Sequence, residues 1–279
     1  MGTKEPNFFI PGFSKAATSF MYELLRRHHQ IYLPEIKETN FFKDETEFKK
    51  GYKWYLKKYY SKIKDEKIIG DATPSYIHSE KALQRIKTNI KSPKIIIILR
   101  NPITRAYSLY NMKYYNGTEN KPTFLEAIES SQIYIKKGKY DIYLNNVYKY
   151  FKKKDILILV YEKDILKNFE QTLIKISNFL NIEKFNYKFD KQINRRKIAR
   201  VEFIRKILRI DGKLDLILKK IIISRYLYLR TMNLLRMINS KKSNKQLSKK
   251  EISKLNKKYY SKHIKNTEKI IKRKLDIWR

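Results

Sequence analysis

Short runs of consecutive apolar residues alternate along this chain with longer stretches in which apolar positions recur every three or four residues. The runs are clearest at residues 94–99, Lys-Ile-Ile-Ile-Ile-Leu, and 155–161, Asp-Ile-Leu-Ile-Leu-Val-Tyr. The continuous β-branched run at 94–99 predicts a parallel strand buried on both faces, and 155–161 a further strand. A shorter run ending at Pro11-Gly12 and another at residues 67–70 predict two more strands, and Ile31-Tyr32-Leu33-Pro34 a short extended piece. Helical periodicity marks residues 18–27, 48–60, 79–90, 123–130, 141–151 and 169–180, with Ser79 as a cap and a further helix starting at Pro102. Strands alternating with helices predict an α/β fold: a parallel sheet with helices on both faces.

From Arg200 onward the strand signal stops. Residues 200–209 and 213–238 are basic, strongly apolar helical patterns; in the second, Leu214, Ile217, Leu218, Ile221 and Ile222 form a stripe against Lys213, Lys219, Lys220 and Arg225. Such an element either caps the sheet or lies on an anionic membrane surface. Residues 239–248 read as a polar, lysine-rich turn, and the closing segment as a helix packing back through Leu255, Tyr259, Ile270 and Trp278. The expected organisation is one domain over residues 1–279: an α/β core (1–195), a basic helical insertion or cap (196–247) and a C-terminal helical region on the core (248–279).

Composition narrows the function classes. With 279 residues, 42% of them hydrophobic and 14% aromatic, the chain can bury a sizeable core. A formal net charge of +37 points to an acidic partner, either nucleic acid, an anionic membrane or a polyanionic substrate. The lysines are spread throughout, however, so compositional bias accounts for the charge equally well. The absence of cysteine excludes disulfides, thiolate metal sites and cysteine nucleophiles. No secretory pattern precedes Pro11 and no run has the length of a membrane span, so the expected compartment is the cytoplasm. His28 and His29, the one adjacent pair among four histidines, are expected to serve the end of the first helix as cations rather than to bind metal.

The candidate chemistry begins in residues 7–20, Asn-Phe-Phe-Ile-Pro-Gly-Phe-Ser-Lys-Ala-Ala-Thr-Ser-Phe. An apolar run, a loop of small and hydroxylated residues with one lysine, and a helix opening at about Thr18 form a strand, anion-cradling loop and helix N-terminus. Lys15 brings a point charge, and Ser14, Thr18 and Ser19 bring hydroxyl donors. The loop lacks the Gly-Lys-Ser/Thr ending of a nucleotide-kinase loop. Arg100, leaving a buried strand, needs an anionic or acidic partner. In Lys37-Glu38-Thr39-Asn40-Phe41-Phe42, two phenylalanines read as a buried anchor for the polar residues before them, and Glu38 is the carboxylate of interest.

These stretches together resemble the sulfotransferases that use 3′-phosphoadenosine 5′-phosphosulfate (PAPS), particularly their bacterial and carbohydrate-modifying branch. Pro-Gly-Phe-Ser-Lys-Ala-Ala-Thr-Ser resembles the family's 5′-phosphosulfate loop, and residues 99–110, Leu-Arg-Asn-Pro-Ile-Thr-Arg-Ala-Tyr-Ser-Leu-Tyr, its 3′-phosphate motif. Residues 37–42 and Gly-Asp-Ala-Thr-Pro-Ser-Tyr at 70–76 match two further segments of the carbohydrate branch. The resemblance implies a P-loop-like fold and a metal-free, in-line displacement at sulfur. Lys15 would contact the bridging oxygen; Ala16, Ala17, Thr18 and Ser19 would hold the 5′-phosphate; Arg100 and Ser108 would bind the 3′-phosphate; Glu38 would be the general base. It further implies a carbohydrate or glycolipid acceptor; contact of residues 213–238 with the inner membrane face stays, on their own pattern, the alternative to a helical cap. Nucleic acid is then not the expected partner, although a basic nucleic-acid-binding protein and an inactive donor-binding relative are the alternative readings. Ala17 stands where the family usually has glycine, which puts any left-handed conformation there in question. Ala72 replaces a lysine of heparan-type enzymes, and Arg195 and Arg196 are further candidates for the 3′-phosphate.

Overall fold

The β-branched run at residues 94–99 forms the middle of a parallel sheet. In the computed structural model, which describes residues 5–185, 197–199, 214, 216, 217, 231, 234, 240–242 and 246–279, five parallel strands stand in the order β2-β3-β1-β4-β5. They are β1 (Phe8–Phe9), β2 (Ile31–Tyr32), β3 (Ile68–Asp71), β4 (Lys94–Leu99) and β5 (Ile156–Val160). The chain forms two compact units. The first comprises Met1–Arg105, Lys137–Asp190 and Ser253–Arg279, and contains this sheet; the second comprises Ala106–Lys136 and Lys191–Ile252.

The period of two explains why β4 carries no polar face. Ile96 and Ile98 join Phe8, Ile10 and Leu159 in one cluster with Met21, Leu24 and Leu25 of α1 (Thr18–Arg26) and with Phe169, Ile176 and Leu180 of a later helix, Phe169–Leu180. Phe9, Ile95, Ile97 and Leu99 point the other way and are equally inaccessible, at 0% exposure. Gly70 is required by this packing, because a Cβ there would lie 2.2 Å from the Phe8 ring.

Between the strands run α2 (Glu45–Phe48), α3 (Tyr52–Tyr60) and α4 (Glu80–Asn89), whose cap Ser79 accepts from the Ala82 amide at 3.2 Å. The single helix expected over residues 48–60 is broken, since Gly51 adopts φ 89 and starts α3 afresh. Next come α5 (Pro102–Tyr115), which continues from the first unit into the second, α6 (Phe124–Ser130), α7 (Ile133–Lys136), α8 (Tyr140–Tyr150) and α9 (Phe169–Leu180). A π-helical turn, Tyr161–Lys167, joins β5 to α9. Within the second unit, Phe124 packs edge-on against Tyr107, ring centroids 5.2 Å apart, and Thr123 and Glu126 form a capping pair at the start of α6. Two short strands, β6 (Lys197–Ala199) and β7 (Ser240–Lys242), pair antiparallel in that unit.

Three expectations need correction or delimiting. The long C-terminal helix α10 (Lys249–Ile271) presents Leu255, Tyr260, Ile264 and Thr267 to the core, whereas Tyr259 and Ile270 are half-buried. Tyr260 lies so close to Gly138 that a Cβ there would sit 2.7 Å from its ring. His28 is not a cationic helix cap: α1 ends at Arg26, and His28 is buried, its Nε2 on the Glu183 carbonyl at 3.1 Å and its Nδ1 accepting from the Gln30 amide. Burial holds its pKa below the ordinary value, so it packs as a neutral ring. Residues 200–209, Arg195, Arg196 and most of 213–238 lie outside the described residues; of the last stretch, Leu216, Ile217 and Leu234 are exposed.

Candidate active site

The loop after β1 is tied to the chain beyond β3. The Ile10 amide donates to the Asp71 carbonyl at 2.9 Å, and the Gly12 amide to the Pro74 carbonyl at 3.2 Å. The backbone then curls through two left-handed residues, Lys15 at φ 69 and Ala17 at φ 68, on either side of the fully buried Ala16. Such alternation makes a concavity of backbone N–H groups suited to an anion. Ala17 therefore does take the conformation a glycine would ease, at a cost of about 1–2 kcal/mol. As N-cap of α1 it offers no side-chain bond, and the first turn carries no acidic residue. The turn's leading amides, which have no intrahelical acceptor, and the positive end of the helix dipole thus face the loop. Thr18 is buried and Ser19 exposed, while the Ser14 hydroxyl is buried without a hydrogen-bond partner among the described residues.

Three cations converge here. Lys15 is held below the ordinary lysine pKa first by burial, then by the charges of Arg100 and Lys37. Arg100, leaving the end of β4, donates from Nη1 to the Lys15 carbonyl at 2.9 Å and from Nε to Thr104 Oγ1 at 3.2 Å. Its guanidinium lies 5.1 Å over the Tyr161 ring, and no ion pair joins it to a carboxylate among the described residues. Behind it, Tyr140 donates to the Arg100 carbonyl at 2.6 Å, and Asn101 caps α5 through Oδ1.

Glu38 belongs to a second strained segment. Glu38 and Asn40 are both left-handed, at φ 67 and φ 56, and between them the buried Thr39 donates to Asp71 Oδ2 at 2.6 Å. Phe41 and Phe42 are fully buried, with Phe41 stacked on Tyr55 at 4.2 Å, as the anchor reading expects. Asn40 bridges the Glu38 carbonyl and the Ser75 hydroxyl, each at 2.9 Å. The Glu38 carboxylate is 47% exposed and pairs at 2.7 Å with Lys37, whose side chain is only 18% exposed.

A family model for the sulfotransferase domain matches residues 5–278. The chain belongs to the sulfotransferase family. It is 34% identical over 123 residues to the membrane-associated sulfotransferase kil1 of Dictyostelium discoideum, covering 43% of this chain and 26% of that protein. It is 27% identical over 197 residues to human heparan sulfate glucosamine 3-O-sulfotransferase 3B1, covering 66% and 48% respectively. The chain thus spans about a quarter to a half of the length of the curated relatives it matches. A solved sulfotransferase from Alicyclobacillus acidocaldarius superposes with a TM-score of 0.69 at 19% identity, over 99% of each chain, and shares its fold. The P-loop-like parallel sheet expected from the motifs is therefore the family fold.

In this sulfotransferase-family chain the first unit brings together Lys15, Ala16, Ala17, Thr18, Ser19 and Arg100; Glu38 pairs with Lys37, whose charge acts on Lys15. Ser108 is half-buried on α5 within the second unit. Sequence reasoning did not single out Lys37 or Asp71. Lys37 is adjacent to Glu38 and could have been read from the same motif. Asp71 is legible only in three dimensions: fully buried, it accepts from Thr39, Tyr55 and Tyr76 on Oδ2 and from Thr73 on Oδ1. Burial raises its pKa and those four hydroxyls oppose the rise. Among the described residues no cluster of three His, Asp or Glu side chains is arranged for a metal, and no helix is long and apolar enough to cross a membrane.

Proposed function

We propose that this chain transfers the sulfuryl group of PAPS to a hydroxyl of a carbohydrate acceptor, on a polysaccharide, glycan or glycolipid. The observation that carries the reading is the meeting of Lys15 and Arg100 at an uncapped helix N-terminus. Half-buried cations gathered at the amides of a helix N-terminus suit a polyanionic donor. In this reading Lys15 neutralises the bridging oxygen, while Ala16, Ala17, Thr18 and Ser19 hold the 5′-phosphate through backbone and hydroxyl donors. Arg100 binds the 3′-phosphate. Glu38 takes the acceptor's proton, the acceptor oxygen attacks sulfur, and the electron pair of the breaking S–O bond leaves on the phosphate oxygen. Positioned cations and amides supply most of the stabilisation, and the base contributes about 10²–10⁴-fold. The names of the heparan sulfate relatives support a sugar hydroxyl as acceptor. The membrane-associated relative and the exposed Leu216, Ile217 and Leu234 support peripheral membrane contact through residues 213–238.

Calorimetric titration with adenosine 3′,5′-bisphosphate (PAP), the desulfonated donor, tests the reading. Wild type is expected to bind saturably, with affinity falling at least about tenfold in Arg100→Ala, the worth of one charge-assisted contact. Absence of PAP binding by folded wild type at moderate salt overturns it, and strongly salt-dependent DNA or RNA binding in its place establishes the nucleic-acid alternative.

A further inference from the structure

Lys37 has a counterion in Glu38 at 2.7 Å, yet the two halves of this pair lie in unlike surroundings: the lysine is mostly enclosed at 18% exposure, and the carboxylate is open at 47%. An ion pair formed only for surface charge balance would leave the lysine in water, where its hydration is strongest. Instead its side chain is mostly covered, and its charge is one of those that depress the pKa of Lys15. The backbone fixes this placement. Glu38 and Asn40 are both left-handed, and Thr39 between them is bonded to the buried Asp71 and to Tyr76, so the segment carrying Lys37 cannot swing freely. Lys37 therefore touches the carboxylate assigned to the acceptor proton, and its charge acts on the lysine assigned to the leaving oxygen. In a displacement at sulfur the group in transit passes from the leaving oxygen to the acceptor oxygen, so a cation that acts on both sides suits that group.

We propose that Lys37 is a catalytic residue that exchanges its ion pair with Glu38 for a contact with the non-bridging sulfuryl oxygens when PAPS binds, releasing the carboxylate to act as base. This rests on the donor reading given above. Three oxygens bearing negative charge repel an incoming hydroxyl oxygen, and a cation on those oxygens lowers that repulsion. The same movement leaves the Glu38 carboxylate without its ammonium partner and open to the acceptor hydroxyl. No bond is made or broken in the exchange; one ammonium changes its anionic partner, and the proton taken by Glu38 still comes from the acceptor hydroxyl.

The sulfuryl group is what distinguishes PAPS from PAP, so the two ligands isolate the contact without any acceptor. Calorimetric affinities for both are to be measured in wild type, Lys37→Met and Lys37→Arg, with circular dichroism and thermal midpoints confirming folded protein. Lys37→Met is expected to weaken PAPS about tenfold or more while changing PAP by less than about threefold, and Lys37→Arg to retain most of the PAPS affinity. Equal losses for both ligands would make Lys37 a general phosphate or structural cation, and unchanged PAPS affinity would leave it a surface partner of Glu38; either overturns the proposal. Failure of wild type to bind PAP is a different result and removes the donor reading itself. Lys37→Arg as weak as Lys37→Met on PAPS, with PAP intact, upholds the contact and adds that it demands a compact ammonium.

Discussion

Burial gives Lys15 a consequence that an exposed lysine would not have. Desolvation, followed by the charges of Arg100 and Lys37, holds its pKa below the ordinary lysine value of 10.5. The protonated amine binds the anion, so PAP affinity should be full below this lowered pKa and fall as pH rises through it, before the usual lysine range. Lys37→Met removes one depressing charge and should move this alkaline limb to higher pH, which calorimetry across a pH series reads directly. Ala17 carries a conformational cost instead of an electrostatic one. Ala17→Gly relieves a left-handed alanine but loosens the unfolded chain and deletes a half-buried methyl. These effects nearly cancel, so the variant should unfold within about 1 kcal/mol of wild type. Ala17→Val places a β-branched residue at φ 68 and should lose about 1–3 kcal/mol in urea denaturation.

The elements differ in how far periodicity reveals them, and the difference has physical causes. β4 and β5 are plain in the sequence because both faces of each are apolar, and α1, α4 and α9 because their buried stripes repeat at the helical period. The break at Gly51 depends on one positive φ, and the π-helical turn at Tyr161–Lys167 on a hydrogen-bond register that composition does not encode. In the same way the loop, Arg100 and Glu38 are legible as motifs, while the means of holding Glu38 is not. Asp71 gathers four hydroxyls from Thr39, Tyr55, Thr73 and Tyr76, residues up to 37 apart in sequence. Asn at this position keeps the shape but puts an amide donor where hydroxyl donors converge. Asp71→Asn should therefore cost about 1–3 kcal/mol in denaturant unfolding. Its PAP affinity should stay within about threefold of wild type, because the loop of Lys15 meets Asp71 only through a backbone carbonyl. A large loss of PAP affinity would mean that Asp71 organises the donor loop as well as the Glu38 segment.

Across the whole chain, the C-terminal residues close back on the strand end that presents Arg100. The Trp278 ring is fully buried; its Nε1 donates to Glu162 Oε2 at 2.9 Å, and Glu162 Oε1 accepts from the Asn101 amide at 2.9 Å. The Trp278 carbonyl accepts from Asn256 at 2.5 Å and from Asn101 at 3.5 Å. Tyr140, whose ring lies 5.8 Å from that of Trp278, donates to the carbonyl of Arg100 itself. Trp278, Glu162, Asn101 and Tyr140 thus brace the end of β4, where Arg100 stands, from behind, though Trp278 lies 177 residues beyond Asn101. Trp278→Ala removes the buried ring and leaves Glu162 short of a donor, so it should destabilise the chain by about 3–5 kcal/mol. It should also weaken PAP measurably at temperatures where the variant is still folded. Trp278→Phe keeps most of the packing and loses only the indole donor, so its cost should be nearer 1–3 kcal/mol, with PAP affinity close to wild type. If thermal melts show Trp278→Ala as stable as wild type, the C-terminal residues are passengers on the fold and the bracing of Arg100 comes from Tyr140 alone.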